Sequence, residues 1–192
     1  MAAKFSLAGE LSLDEKLLRS IQVPSKLKER VGELFELLQG PVYRYLVGIL
    51  EDSTEAEDLT QEAFLRLYLA VRKGETIGSI RPWIFRVAHN LAVDQQRKGR
   101  HTGTLDQDQL DLTCDRTPDS SPDAEQRVLI KEQHQRIQSA LARLSPQERR
   151  CLDLRTEGLR YREIAETLGI RVSTVVNFLE RGIVKIMRQI HE

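Results

Sequence analysis

At 192 residues, with 40% apolar and 30% charged side chains, the chain has the composition of a soluble globular protein and the length for one large domain or two small ones. No apolar run approaches the roughly 20 residues that span a bilayer, and Asp14 and Glu15 interrupt the start. Neither a membrane insertion nor a signal peptide is therefore expected, and the protein is expected to be cytoplasmic. The net charge of zero hides segregation: residues 1–100 carry 15 Lys/Arg against 14 Asp/Glu, residues 101–124 one against six, and residues 125–192 thirteen against nine.

The pattern is helical throughout, with no alternating strand. An N-terminal extension, 1–24, precedes a first helix expected from about Ser25 to Gln39. Gly40-Pro41 then has the form of a C′ glycine followed by an N1 proline, opening a second helix over about 41–51 with Val42, Leu46, Ile49 and Leu50 on one stripe. In "STEAEDLT", Thr54 and Glu57 stand at capping-box spacing and start a helix that runs to about Lys73, with Leu59, Ala63, Phe64 and Leu67 facing inward. The two glycines of "KGETIGS" mark a loop. Pro82 opens a fourth helix whose inward residues are Trp83, Ile84, Val87, Ala88, Leu91 and Ala92. Residues 99–122 carry Gly, Thr, Asp, Ser and two prolines with little periodicity, as a linker does. The fold class is therefore all-α: two small helical domains, 25–100 and 123–192, joined by a flexible acidic linker over 101–122.

In the second domain, Ser121-Pro122 caps a fifth helix reaching about Leu144, with Ile130, Ile137, Leu141 and Leu144 as its stripe. Ser145, Pro146 and Glu148 supply an N-cap, an N1 proline and an N3 glutamate, and this sixth helix ends before Gly158. Helices at about 161–168 and 173–189 follow. Ile164 and Leu168 face inward, Ala165 is small where two helices cross, and Gly169 sits where the turn needs positive φ. Ser173 is a natural N-cap, and Val175 and Leu179 form the buried side of the last helix. This spacing favours a helix-turn-helix over a generic helical hairpin for the C-terminal domain. Arg155, Arg160, Arg162, Arg171, Arg181, Lys185 and Arg188 surround it as phosphate contacts require, although a solvated charged face accounts for the same cations.

Catalytic chemistry has no foothold. Cys114 and Cys151 stand far apart without CxxC spacing, and the four histidines have no ligand spacing. There is no paired-carboxylate site, nucleophile triad or phosphate-cradling glycine loop, so no catalytic residue, metal or cofactor is expected and the chain is not an enzyme. The stretch "RPWIFRVAHNLAVDQQRKGR" instead holds five cations, Arg81, Arg86, Arg97, Lys98 and Arg100, against one acid. The helix dipole accounts for part of the C-terminal cluster. Nucleic-acid contact and a plain exposed face explain the polar run Asn90, Asp94, Gln95, Gln96, Arg97 about equally well.

Taken in order, "AEDLTQEAFLRLY", "PWIFRVAHNLAVDQQRK" and "LARLSPQERRCLDLRTEGLRYREIAETLGIRVSTV" closely resemble a bacterial extracytoplasmic-function sigma factor of the sigma-70 family, over about 33–100 and 125–188. The resemblance implies a two-domain initiation factor that binds core RNA polymerase and promoter DNA and is held in check by an anti-sigma factor. It implies that Asp58, Gln61 and Glu62 dock on the clamp of the largest polymerase subunit, with Glu55 nearby. It also implies that the loop "KGETIGSI" and the helix after it, through Asn90, Asp94, Arg97, Lys98 and Arg100, take up the melted minus-ten element. Trp83 is expected in the core, since it shares a stripe with Val87 and Leu91, with base stacking as the lesser alternative. Asp106, Asp108, Asp111, Asp115, Asp119 and Asp123 resemble the family's tether through the polymerase channel; a solubilising disordered segment explains them nearly as well.

For the minus-thirty-five element the resemblance leaves Arg171, Ser173, Thr174, Asn177 and Arg181. Where the family usually has "TVKSRLHRA", this chain has Val176 for the lysine, Phe178 for the arginine and Glu180 for the histidine. Each lost contact is worth ~1–3 kcal/mol. Three explanations stand side by side: Val176 touches a thymine methyl, the apolar patch binds a protein, or Phe178 is buried by altered packing. The rival to a promoter-reading sigma factor is a sigma-like module that sequesters an anti-sigma factor without reading promoters.

Overall fold

The computed structural model describes residues 27–102 and 136–191. The N-terminal extension, the aspartates of the linker, Cys114, the Ser121-Pro122 cap and Ile130 lie outside the described residues. Among those described, every regular element is a helix. The chain divides into two compact units. The first holds α1 (Leu27–Leu50), α2 (Ser53–Arg72) and α3 (Ile80–Thr102). The second holds a helical stretch at 136–142, then α4 (Pro146–Thr156), the greater part of α5 (Tyr161–Leu168), and α6 (Val172–His191).

In the first unit each helix packs on the other two. α1 contributes Leu34, Leu38, Val42 and Leu46, α2 Ala56, Ala63, Phe64 and Leu67, and α3 Ile80, Ile84, Phe85, Ala88 and Ala92, all buried. Phe35 meets Phe64 edge to face at 5.0 Å, and Tyr45 meets Phe85 at 5.5 Å in the same geometry. The Tyr45 hydroxyl and His89 Nδ1 lie 3.0 Å apart in a buried hydrogen bond.

Several local expectations give way in this unit to packing or to a stronger cap. The expected break at Gly40-Pro41 is absent, and α1 runs through Pro41. Four fully buried side chains on one continuous stripe, at about 1.5–3 kcal/mol each, outweigh the roughly 3 kcal/mol of an interior proline. The cap of α2 is Asp52 rather than Thr54: its carboxylate accepts from the N–H groups of Thr54 and Glu55 at 2.8 and 2.9 Å. It follows Glu51, which turns the chain at φ 59°. Leu59 is half-buried, and its expected place in the α2 core goes to Ala56 and Thr60. In α3, Trp83 and Val87 are also only half-buried, while Phe85 and His89 point inward. The core stripe lies one step round the helix from its expected position, because Phe85 fills the space beside Tyr45. The helix starts at Ile80, two residues before Pro82, and continues to Thr102, into the sequence expected to be linker.

The second unit follows its local signals more closely. Ser145 caps α4 in a full capping box: Ser145 Oγ accepts from the Glu148 N–H, and the Ser145 N–H donates to Glu148 Oε2 at 2.8 Å. Gly158 and Gly169 end the next two segments at φ 87° and 65°. The Arg160 N–H donates to Glu163 Oε2 at 2.6 Å, which caps α5 by the same reach-back. Ile137 is exposed, contrary to expectation, and Ala140 and Leu144 hold the buried side of their segment. α6 begins at Val172, so Ser173 lies in its first turn. The carbonyl of Arg171 accepts the opening bonds, from Thr174 at 3.0 Å and Val175 at 3.1 Å.

Candidate nucleic-acid and polymerase interfaces

Three surfaces hold the residues singled out from the sequence. On α2, Asp58 and Gln61 are exposed, and Glu62 is partly covered, its Oε1 accepting from Arg66 Nε at 2.8 Å. The same side of the helix continues into Leu65, 51% exposed, and Leu69, 39% exposed. Sequence reasoning passed over these two leucines. Their signal was there: 58, 62, 65 and 69 follow helical spacing on the side away from Ala56, Ala63 and Leu67. Carboxylates at one end and leucines at the other make a face suited to a partner helix carrying cations and apolar residues.

On α3, Asn90, Asp94, Arg97 and Lys98 are all exposed, with Arg97 Nη1 at 3.7 Å from Asp94 Oδ1. The backbone of Arg100 belongs to the same helix. The polar run is divided in two by the helix turn. Gln95 Nε2 donates to Glu55 Oε1 at 3.0 Å, and Gln96 Nε2 donates to the Ile49 carbonyl at 2.7 Å. These two amides fix α3 to the start of α2 and the end of α1. That leaves Asn90, Asp94 and Arg97 pointing out, in line with half-buried Val87 and Trp83. A half-buried tryptophan, an amide and a guanidinium along one side of a helix are groups that can hold an unstacked single strand.

In the helix-turn-helix, Ile164, Ala165, Val175 and Leu179 are buried and Gly169 has the positive φ expected of the turn. Arg171, Ser173, Asn177 and Arg181 are exposed and Thr174 is half-buried. Val176 and Phe178 are each half-buried, so neither is absorbed by the core, and Glu180 is exposed. Arg155 lies over the Tyr161 ring at 5.4 Å and its Nη1 donates to the Leu159 carbonyl at 3.0 Å, which steadies the entry to α5.

α6 is held against α4 by one buried carboxylate. Glu148 Oε2 accepts from Lys185 Nζ at 2.7 Å beside the Ser145 N–H. Burial pushes the Glu148 pKa up, but the Lys185 ammonium and the Ser145 donors outweigh it and hold the carboxyl below the ordinary value. Asp153 shows the opposite balance: burial raises it, and Arg149 at 3.5 Å offsets only part. The Cys151 thiol, buried in the same helix, is pushed up to about 11. No group of three or more potential metal ligands occurs among the described residues. Nor, among them, is any helix long and apolar enough to cross a membrane.

Both units match family models: residues 34–102 match Sigma-70 region 2, and residues 134–186 match Sigma-70, region 4. The ECF RNA polymerase sigma factor SigL of Mycobacterium tuberculosis is 31% identical over 145 residues, covering 74% of this chain and 78% of SigL. The chain belongs to the extracytoplasmic-function sigma factors of the sigma-70 family. A second sigma factor of the kind, SigE of Mycolicibacterium smegmatis, is 34% identical over 142 residues, 73% of this chain; the match spans 54% of SigE, about half of that protein. Among solved structures, the sigma factor RpoE of Bartonella quintana, crystallised with the anti-sigma factor NepR, has a TM-score of 0.61 at 19% identity, covering 83% of this chain and 96% of that one. CnrH, in complex with the cytosolic domain of CnrY, has a TM-score of 0.57 at 19% identity, covering 91% and 95%. The all-helical fold read from the sequence is thus shared with sigma-factor structures.

Proposed function

We propose that this sigma factor recruits core RNA polymerase through α2, takes up the melted minus-ten element on α3, and sets α6 in the major groove of the minus-thirty-five element. The observation that carries the reading is the division of labour on α3. Gln95 and Gln96 are spent on intramolecular bonds, while Asn90, Asp94 and Arg97 are exposed along the side of α3 that also carries half-buried Trp83, with exposed Lys98 following Arg97. A face built only for solvation has no need of that separation.

On this reading Asp58, Gln61 and Glu62 meet the clamp of the largest polymerase subunit, and Leu65 and Leu69 extend the contact with apolar area. Arg171, Ser173, Thr174, Asn177 and Arg181 serve the upstream element. The sigma factor works in the cytoplasm, without catalytic chemistry of its own. An anti-sigma factor is its natural regulator, a reading supported by the NepR complex of a protein with the same fold.

The test is permanganate footprinting of promoter duplexes bound by core polymerase with the full chain. Reactive thymines around the minus-ten position, lost with Asn90→Ala and Arg97→Ala together, are the expected result. Firm binding to core polymerase with no melted thymines on any duplex of a promoter pool would favour the rival, an anti-sigma-binding module that does not read promoters.

A further inference from the structure

The outward face of α6 differs in kind from a cation-bearing reading helix. Val175, Leu179 and Gly182 are buried, which turns Ser173, Asn177 and Glu180 outward. Val172 and Val176, one turn apart, run along the edge of that face. Val172 is 40% exposed and Val176 half-buried, so both keep methyl groups at the surface of α6, the helix proposed to enter the major groove.

The partner for such a face follows from the chemistry of base edges. In the major groove the apolar group on a base edge is the C5-methyl of thymine, and an asparagine amide matches N6 and N7 of adenine. Guanine offers only the acceptors O6 and N7 there, which the Glu180 carboxylate opposes, but cytosine N4–H and adenine N6–H are donors it accepts from, so Glu180 by itself sets no preference between A·T and G·C pairs. The surroundings favour duplex DNA as the occupant. Arg171 and Arg181 are exposed toward the two ends of this stretch, and Arg160 and Arg162 are exposed at the start of α5, the complement of two phosphate backbones.

We propose that Val176, supported by Val172, reads thymine methyl groups next to an adenine held by Asn177, so that α6 selects thymine and adenine at the positions these side chains face in the upstream element. The proposal rests on the placement of α6 in the major groove. It deepens that placement by naming the groups recognised. The apolar substitutions at the centre of the helix become the source of its specificity.

The test uses the full chain with core polymerase. Duplexes randomised only across the upstream element are selected for binding, and the recovered sequences are remade with 2′-deoxyuridine for thymine within that element. Uracil keeps the pairing edge and lacks only the C5-methyl. The expected result is enriched thymine positions adjoining adenine, and binding weakened about fivefold or more by the uracil exchange. Val176→Ala should discriminate thymine from uracil duplexes much less than the unmodified chain does, with Val172→Ala giving a smaller loss of discrimination. Equal binding of the two duplexes by the unmodified chain overturns the proposal while leaving promoter recognition intact. No enrichment at any upstream position overturns the major-groove placement and the proposal together.

Discussion

Lys185 Nζ donates to Glu148 Oε2 at 2.7 Å across 37 residues of chain, and the same oxygen caps α4 by accepting from the Ser145 N–H. One carboxylate thus starts the helix before the helix-turn-helix and anchors the last helix to it. Gly182, one turn before Lys185, lies against Leu144 and Glu148, so the two helices meet closely at this point.

Lys185→Met is expected to cost the second unit about 1–3 kcal/mol, since it takes the ammonium from a buried carboxylate but removes a lysine whose side chain is 41% exposed. The sign of the pH dependence follows from Glu148. Its folded pKa lies below the ordinary 4.5, so its stabilisation is complete above that value and is lost as pH falls through the folded pKa. Urea unfolding of the full chain between pH 3 and 7 should show the two proteins converging at the acid end. A constant difference across the range would contradict this assignment.

Two glycines should respond in opposite directions to alanine. Gly169, at φ 65°, has open space around it but a backbone that an L side chain adopts at a cost, so Gly169→Ala should lower stability by about 1 kcal/mol. Gly182 lies inside α6, and a methyl there would meet Leu144 at 3.7 Å and Glu148 at 3.8 Å, ordinary contact distances. Gly182→Ala should therefore raise stability by up to about 1 kcal/mol through helix propensity. Thermal melting of the two variants beside the unmodified chain checks both signs.

Cys151 should be inert while the protein is folded. Its side chain is fully buried in α4, and burial holds the thiol at about 11, leaving almost no thiolate near neutrality. In a Cys114→Ser background, iodoacetamide at pH 8 should label Cys151 only after denaturant is added. Rapid labelling of the native protein would show that this part of α4 opens readily.

The α2 face should be separable from the fold. Asp58→Lys with Glu62→Lys changes exposed or partly covered carboxylates and removes only the Arg66 pair, worth a few tenths of a kcal/mol. Affinity for core polymerase should fall at least about tenfold, as expected when two charges on a docking face are reversed, with the melting temperature nearly unchanged. Leu65→Asp should weaken binding likewise. Unaltered affinity in all three positions would remove α2 from the polymerase interface.

How much of this was legible in the sequence depends on the range of the interaction. The helix-turn-helix spacing of Ile164, Ala165, Gly169, Val175 and Leu179 and the Ser145–Glu148 capping box are local, and the structure holds them as expected. Where two local signals competed, the outcome turned on packing or on the stronger cap. Pro41 is carried through by its neighbours' burial, Asp52 displaces Thr54, and Arg171 rather than Ser173 precedes α6. The exchange of Trp83 for Phe85 and His89 in the core depends on Tyr45, some 40 residues away, and no periodicity encodes it. In the candidate sites, residue types marked α3 as a contact helix. The commitment of Gln95 and Gln96 to Glu55 and Ile49 is tertiary, and so was hidden.

Run-off transcription with core polymerase on a promoter pool bears most directly on the central claim. Discrete transcripts are expected that require the full chain and disappear when Asn90 and Arg97 are both changed to alanine. Stable association with core polymerase that yields no transcript from any member of the pool would contradict it.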